Sequence, residues 1–226
     1  FRVYREVCTL QKSGHDVTVV STRFGDESLP PAWQDIDVRL IDIDRTQSLR
    51  VLYPRFWQQA TKLASQERAD VYHAHDLDAL WPACRAARRN DAALVYDSHE
   101  LFCEQSSLVH RPAIAFSWRL IEGRLIKRAH RVITVAPSIS TQLQQTYNLD
   151  QAPVVLRNVP PYRKPVASSY LRQRLGIPTA APLALYQGGF LTNNGLAEQI
   201  TAMQHVDEAA HLALLGSGPT EQELRD

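Results

Sequence analysis

Cysteine is scarce. The 226 residues include three, Cys8, Cys84 and Cys103, widely spaced and without a C-x-x-C pair. That pattern excludes a disulfide framework and a zinc ribbon, and suits a reducing compartment. Neither sign of charge is in excess, with 25 Lys and Arg against 24 Asp and Glu. A net charge of +1 offers no basic surplus for phosphate backbones, so no nucleic-acid partner is expected. No apolar run approaches the roughly 20 residues of a membrane span. A charged-then-apolar leader, short-period repeats and low-complexity tracts are missing as well. These absences predict a soluble cytoplasmic protein.

What remains is the composition of a globular protein, 44% apolar and 22% charged. The length suits one domain and part of a second. The chain opens with Phe1 inside a helical pattern, Val3, Val7 and Leu10 sharing a face. It closes at "TEQELRD", a helix-forming run without a terminating glycine. Both ends read as cut, so a fragment is expected.

Strands are predicted at 15–21 ("HDVTVVS", buried), 37–44, 69–75 ("ADVYHAH"), 92–97 ("AALVYD"), 131–136 and 152–160. Between them lie helices at 49–67, broken or kinked at Pro54, then 77–89, 112–129 and 138–146, the last capped by Ser138. Ile114, Trp118, Ile121 and Leu125 form one apolar stripe on the third. This alternation predicts an α/β domain over 1–157, a parallel sheet with helices on both faces. Residues 158–169 ("PPYRKPVASS" at their heart) read as a linker. From 170 to 226 the alternation restarts as a truncated second domain, with strands at 182–189 and 210–219 and a helix at 195–203.

In such sheets ligands bind outside the carboxyl ends of the strands. That rule singles out His75-Asp76, Ser98-His99-Glu100, Gly188-Gly189 and Gly216-Gly218. His73 and His75, two apart on a strand, share a face and suggest a metal chelate. Leu77 stands where the usual motif needs Asp, however, and no later His cluster completes the ligands, so no metal is expected. The plainer reading buries His73 on the strand and makes Asp76 a helix N-cap. His99 is either a proton-handling site residue or part of a polar turn. "YQGGFLTNNGL" (186–196) lets backbone N–H groups approach a phosphate at a helix start, but matches neither dinucleotide nor ATPase fingerprints. "LLGSGP" (214–219) repeats that geometry or is a tight turn only. Arg119, Arg124, Lys127, Arg128 and Arg131 make 112–131 basic, either solvated or able to lie on anionic lipid.

Taken in order, "REVCTLQKSGHDVTVVS", "ADVYHAHDLDALWPACRAAR", "LVYDSHELF", "RLIEGRLIKRAHRVITVAPSIS", "VVLRNVP", "LYQGGF" with "GLAEQITAM", and "HLALLGSGP" resemble the family 4 (group 1) glycosyltransferases. The resemblance implies a two-domain GT-B fold of two Rossmann-like domains. It implies sugar transfer from a nucleotide-sugar donor to a sugar, lipid-linked or other small acceptor, with retained anomeric configuration and no cofactor. By that resemblance His99 is the cleft histidine that contacts the donor sugar. His75 and Asp76 face the acceptor. Gly188 and Gly189 lie beneath the donor diphosphate with Asn194 and Gly195 beside them, and Gly216 and Gly218 near base and ribose. Apart from the resemblance, the basic residues of 112–131 leave weak contact with the inner face of a membrane open, beside the plainer reading of a solvated face.

The departures are specific. Asn194 stands where the family usually carries a cation, and Arg157 is the candidate to compensate. A first strand ahead of Phe1 and a Glu-x₇-Glu segment downstream are expected of the family and are not in this stretch, which is not expected to be active by itself. The alternative function is a non-catalytic nucleotide-sugar-binding or protein-binding remnant of the fold.

Overall fold

A computed structural model describes residues 2–25, 28–44, 46–105, 108, 111–192 and 194–225. Its internal contacts divide the chain into Phe1–Pro160 and Pro161–Asp226, within the stretch read as a linker.

In the first unit, α1 (Arg2–Lys12) leads to β1 (Thr18–Phe24), β2 (Asp37–Ile43), α2 (Leu49–Gln66), β3 (Val71–His75) and α3 (Asp76–Asn90). Then follow β4 (Ala93–Ser98), α4 (Pro112–Leu125), β5 (Arg131–Thr134), α5 (Pro137–Tyr147) and the short β6 (Val154–Val155). Every strand pair is parallel, as the alternation of strand and helix predicts. The strands form two sheets rather than one, β1-β2 and β3-β4-β5-β6. β1 pairs along its length with β2, and β3 with β4, and no described strand joins the remaining edges. β1 also starts later than expected, and none of its residues is fully buried.

The core lies around β3, β4 and the helices over them. Leu77, Leu80 and Ala86 of α3, Leu94 and Tyr96 of β4, and Trp118 and Leu125 of α4 pack there. Tyr53, Trp57, Trp81, Phe102 and Trp118 form a ladder of rings with centroids 5.0–5.7 Å apart. Contacts of this kind stabilise beyond the area they bury. The stripe on α4 is shorter than expected. Ile114 is exposed, while Ala115, Trp118, Ile121 and Leu125 face the core.

Three local expectations need correction. α2 runs unbroken through Pro54. Ser138 does not cap α5, because Pro137 already occupies the first turn and Ala136 is the capping position, without a side-chain bond. Asp76 is no N-cap either. It enters α3 at φ +62°, and its carboxylate is used elsewhere.

The second unit comprises α6 (Tyr170–Leu175), β7 (Leu183–Gln187), α7 (Leu196–Ala202), β8 (His211–Leu215) and α8 (Glu221–Arg225). β7 and β8 pair in parallel. Ala181, Phe190 and Leu196 are its buried apolar residues.

Candidate active site

The pairing of β3 with β4 sets His75 opposite Asp97 at the carboxyl ends of the two strands. The site grows from that register. Asp97 is fully buried, with its carboxylate held by the Arg2 guanidinium, Nε to Oδ2 at 2.8 Å and Nη2 to Oδ1 at 2.9 Å. The third arm of Arg2, Nη1, donates to the Leu156 carbonyl just past β6 at 2.8 Å. A two-point fork of this kind is among the stronger charge-assisted contacts.

Three imidazoles surround the same oxygen. His75 Nδ1 lies 3.4 Å, His99 Nε2 3.3 Å and His73 Nε2 3.9 Å from Asp97 Oδ2. His75 Nδ1 and His99 Nε2 are 3.2 Å apart. On its other side His99 Nδ1 meets Asp76 Oδ2 at 3.0 Å, and its backbone N–H donates to Asp76 Oδ1 at 3.0 Å. The left-handed backbone of Asp76 brings the carboxylate to both groups. Asp is one of the few non-glycine residues that visit this conformation, and here it turns the carboxylate toward His99.

The electrostatics follow from these contacts. Burial alone would raise the Asp97 carboxyl, but hydrogen bonds from His75, His99 and Arg2 outweigh it and hold the group far below the usual carboxylate range. His99 is raised to about 9 by its hydrogen bonds to Asp76 and Asp97. It is therefore an imidazolium near neutrality. Burial lowers His73 to about 4, with His75 adding to the effect, so His73 is neutral there. His73 was expected to be buried and structural. Its side chain is 25% exposed beside Asp97, while its Nε2 is buried and has no hydrogen bond among the described residues.

Both ring nitrogens of His99 already have partners within the protein. Ser98 and Glu100 shape the turn below it. The Ser98 hydroxyl donates to the Glu100 carbonyl at 2.7 Å, and the Glu100 carboxylate accepts from Gln105 at 2.8 Å.

Sequence reasoning found His75, Asp76 and His99 but missed Arg2, Glu6 and Asp97. It also held that ligands to accompany His73 and His75 were lacking. In the structure Glu6, His73, His75 and Asp97 each bring one ligand atom within 4.8 Å of the others. The set nonetheless fits a cation poorly. The Arg2 guanidinium lies 2.8 Å from Asp97 and 3.0 Å from Glu6, occupying both carboxylates with a fixed positive charge.

In the second unit the two glycine turns are zipped together. Gly188 N–H donates to Leu215 O at 3.0 Å, and Phe190 N–H to Ser217 O at 2.9 Å. A Cβ on Gly216 would fall 1.8 Å from the Gly188 carbonyl, and one on Gly218 2.3 Å from that of Phe190. Backbone against backbone therefore dictates these two glycines. Gly195 precedes α7 at φ +66°, while Gly189 meets only ordinary contacts. The Asn194 amide donates to Tyr186 Oη and to Gly189 O, each at 2.9 Å, bracing the loop from within. Arg157, in the first unit, is exposed and has no hydrogen bond or ion pair to the described residues.

A surface concavity of about 540 Å³ is lined by Gln11, His15, Asp16, Thr18, Asp35 and Asp37 among others. It lies at the amino ends of β1 and β2, the end of the strands where such folds do not bind ligands.

The model of glycosyltransferase family 4 matches residues 2–158. The chain belongs to this family. Solved GT-B structures resemble it in fold. A sucrose-phosphate synthase from Thermosynechococcus elongatus aligns with TM-score 0.68 and 18% identity over 96% of this chain and 57% of its own. Anabaena HepE in complex with UDP aligns with TM-score 0.58 and 19% identity over 84% of this chain and 50% of its own. A putative UDP-N-acetylglucosamine 2-epimerase from Listeria monocytogenes gives TM-score 0.62 and 16% identity, covering 98% and 60%. The chain thus spans 50–60% of the length of these structures. No curated protein matches. Within the family-4 region, the cluster around Asp97 sits where an α/β domain places its ligands. No helix among the described residues is long and apolar enough to cross a membrane.

Proposed function

We propose that the protein belongs to a glycosyltransferase that moves a sugar from a nucleotide-sugar donor with retention of configuration, with 1–157 on the acceptor side and 170–226 on the donor side. The observation that carries this is the charged His99 at the carboxyl end of β4, in a domain of this family. HepE has been solved with UDP, with UDP and glucose, and with UDP-glucose, which makes a uridine diphosphate sugar the first donor to try.

The chemistry asks for positive charge near the departing diphosphate. His99 supplies it as an imidazolium already oriented by Asp76 and Asp97, so little reorganisation is needed as charge develops. A direct hydrogen bond to the donor sugar uses Nε2, released from His75 on donor binding. His75 and Asp76 border the acceptor. Gly188, Gly189, Gly195, Gly216 and Gly218 keep backbone close to the donor. Arg157, exposed and without an ion pair among the described residues, is the cation we assign to the phosphate. No metal or cofactor is assigned, since Arg2 already neutralises the carboxylates that would bind one. The acceptor is a sugar, a lipid-linked sugar or another small hydroxyl compound. Phe116, 61% exposed, and Leu120 project from α4 near Arg124, Lys127 and Arg128, which supports peripheral contact with an anionic membrane surface.

A second reading, binding without transfer, is favoured by Asn194. Both of its amide donors serve the loop, and it brings no charge to a diphosphate. The test uses the full-length protein with uridine diphosphate sugars, following nucleotide release and the anomeric configuration of the product by NMR. Transfer with retention is expected, falling roughly 10²-fold in His99→Ala with folding intact. Donor binding without turnover establishes the second reading. Inverted product overturns retention.

A further inference from the structure

The chain leaves β6 without regular structure, yet the residues that follow are held at both ends. The Leu156 N–H donates to the Thr134 carbonyl at 2.7 Å, and the Thr134 hydroxyl donates to the Ser98 carbonyl at 2.8 Å. These two bonds stitch the carboxyl ends of β4, β5 and β6 together beside His99. The Leu156 carbonyl accepts from Arg2 Nη1 at 2.8 Å, and the same guanidinium forks onto Asp97. Three residues further along α1, Arg5 reaches the same segment. Its Nη1 donates to the Val159 carbonyl and its Nη2 to the Asn158 side-chain oxygen.

Arg157 lies between these anchors. Its side chain is exposed and has no hydrogen bond or ion pair to the described residues. The backbone that carries it is fixed at Leu156, and the next contacts fall on Asn158 and Val159. This stretch lies at the end of the strands where such folds bind ligands. Val159 is 59% exposed and Asn158 is exposed as well, so Arg5 gains no buried core by holding them. Its contacts place backbone instead. A long, flexible cation loses freedom when it settles on an anion, and a backbone fixed beforehand lessens that cost.

We propose that Arg5 is a positioning residue for Arg157: together with Arg2 it holds segment 156–159 from α1, so that the Arg157 cation stands ready for the donor diphosphate. The proposal rests on the phosphate role given to Arg157 above, but the anchoring is measurable without any ligand. It also gives α1 a double task. Through Arg2 the helix fixes the Asp97 carboxylate beside His99, and through Arg5 it fixes the chain on either side of a second cation.

The experiment has two arms, both on the full-length protein. Backbone ¹⁵N relaxation reads Arg157, Asn158 and Val159 in the absence of ligand. Order parameters of about 0.85 are expected in the wild type, falling below about 0.6 in Arg5→Ala, the ranges of rigid and flexible backbone. Wild-type values already below about 0.6 overturn the proposal, and so does an unchanged segment in folded Arg5→Ala. The second arm measures UDP binding by calorimetry in the wild type, Arg5→Ala, Arg157→Ala and the double variant. Arg157→Ala should weaken binding roughly tenfold, the lower range for a hydrogen bond to a charged group. Arg5→Ala should weaken it roughly two- to fivefold. It should do so only while Arg157 is present, because residues that act through one another are not additive. An Arg5 that serves only the fold or the overall charge weakens UDP equally in both backgrounds, and that additive result overturns the proposal. Wild-type affinity in Arg157→Ala strikes the phosphate role itself, while the relaxation arm still decides the anchoring.

Discussion

The histidines around Asp97 predict an unfolding stability that peaks near pH 6.5. His99 is raised from 6.5 to about 9 by Asp76 and Asp97. A group whose native value is raised contributes stability that is fully present below its unfolded value and is lost as pH rises through the native one. For His99 that window is about 6.5 to 9. His73 does the opposite. Burial lowers it from 6.5 to about 4, so the unfolded chain binds a proton that the native state refuses. Stability therefore falls as pH drops from about 6.5 towards 4. Each displacement is worth roughly 3.4 kcal/mol without screening, at about 1.36 kcal/mol per unit. Both side chains are about a quarter exposed, so solvent screening reduces each to roughly 1.5–2 kcal/mol. Glu6, raised by burial, subtracts from the acid limb, because its contribution is lost as pH rises from about 4.5. The assay is urea unfolding at half-unit pH intervals, followed by tryptophan fluorescence. All four tryptophans, Trp33, Trp57, Trp81 and Trp118, lie in the first unit, so the signal reports on that unit alone. Asp76→Asn removes the leading cause of the His99 shift and should flatten the alkaline limb while sparing the acid one. A wild-type profile that stays level or rises between pH 6.5 and 9 refutes the assignment.

Two further outcomes concern residues away from that cluster. Glu122 is buried and accepts from Tyr96 Oη at 2.7 Å, Tyr147 Oη at 2.6 Å and Cys103 Sγ at 3.4 Å. Glu122→Ala leaves these buried donors unsatisfied and should cost about 3 kcal/mol or more in denaturant unfolding, so a loss under about 1 kcal/mol would sink this account. On α4, the exposed Phe116 and the basic residues after it predict salt-sensitive co-sedimentation with anionic vesicles, reduced in Phe116→Asp. Equal recovery with neutral vesicles rejects the membrane contact.

Much of the fold was legible because it is written locally. Runs such as "AALVYD" and the stripe through Leu77, Leu80 and Cys84 carry their own periodicity, and the strand-to-helix order fixes parallel pairing. Strand ends drifted by up to five residues, from His15 to Thr18 at the start of β1 and from Pro160 to Val155 at the end of β6. At Pro54 the helix continues rather than breaking, with α3 packed alongside.

The site was legible only in part, and the reason is physical. His75, Asp76 and His99 stand at strand ends, a position that sequence order reveals. Asp97 looked like the last polar residue of its strand. Its importance depends on the register that places it opposite His75 and on a guanidinium from 95 residues earlier. Arg2 and Glu6 were hidden by a sound rule misapplied, that the charged face of an amphipathic helix meets solvent. On α1 Arg2 is buried while Leu10 is exposed, because the carboxylate of Asp97 is a stronger partner for that face than water is. Glu122 escaped in the same way, its three partners lying on β4, on α5 and in the turn after β4. Gly216 and Gly218 show the converse. They were visible as a turn, but the need for glycine comes from the Gly188 and Phe190 carbonyls pressed against them, so pairing rather than turn geometry forbids a side chain there. In each case the missing term is a long-range partner. The residues whose roles change most on folding are those that give up water for a charge distant in sequence.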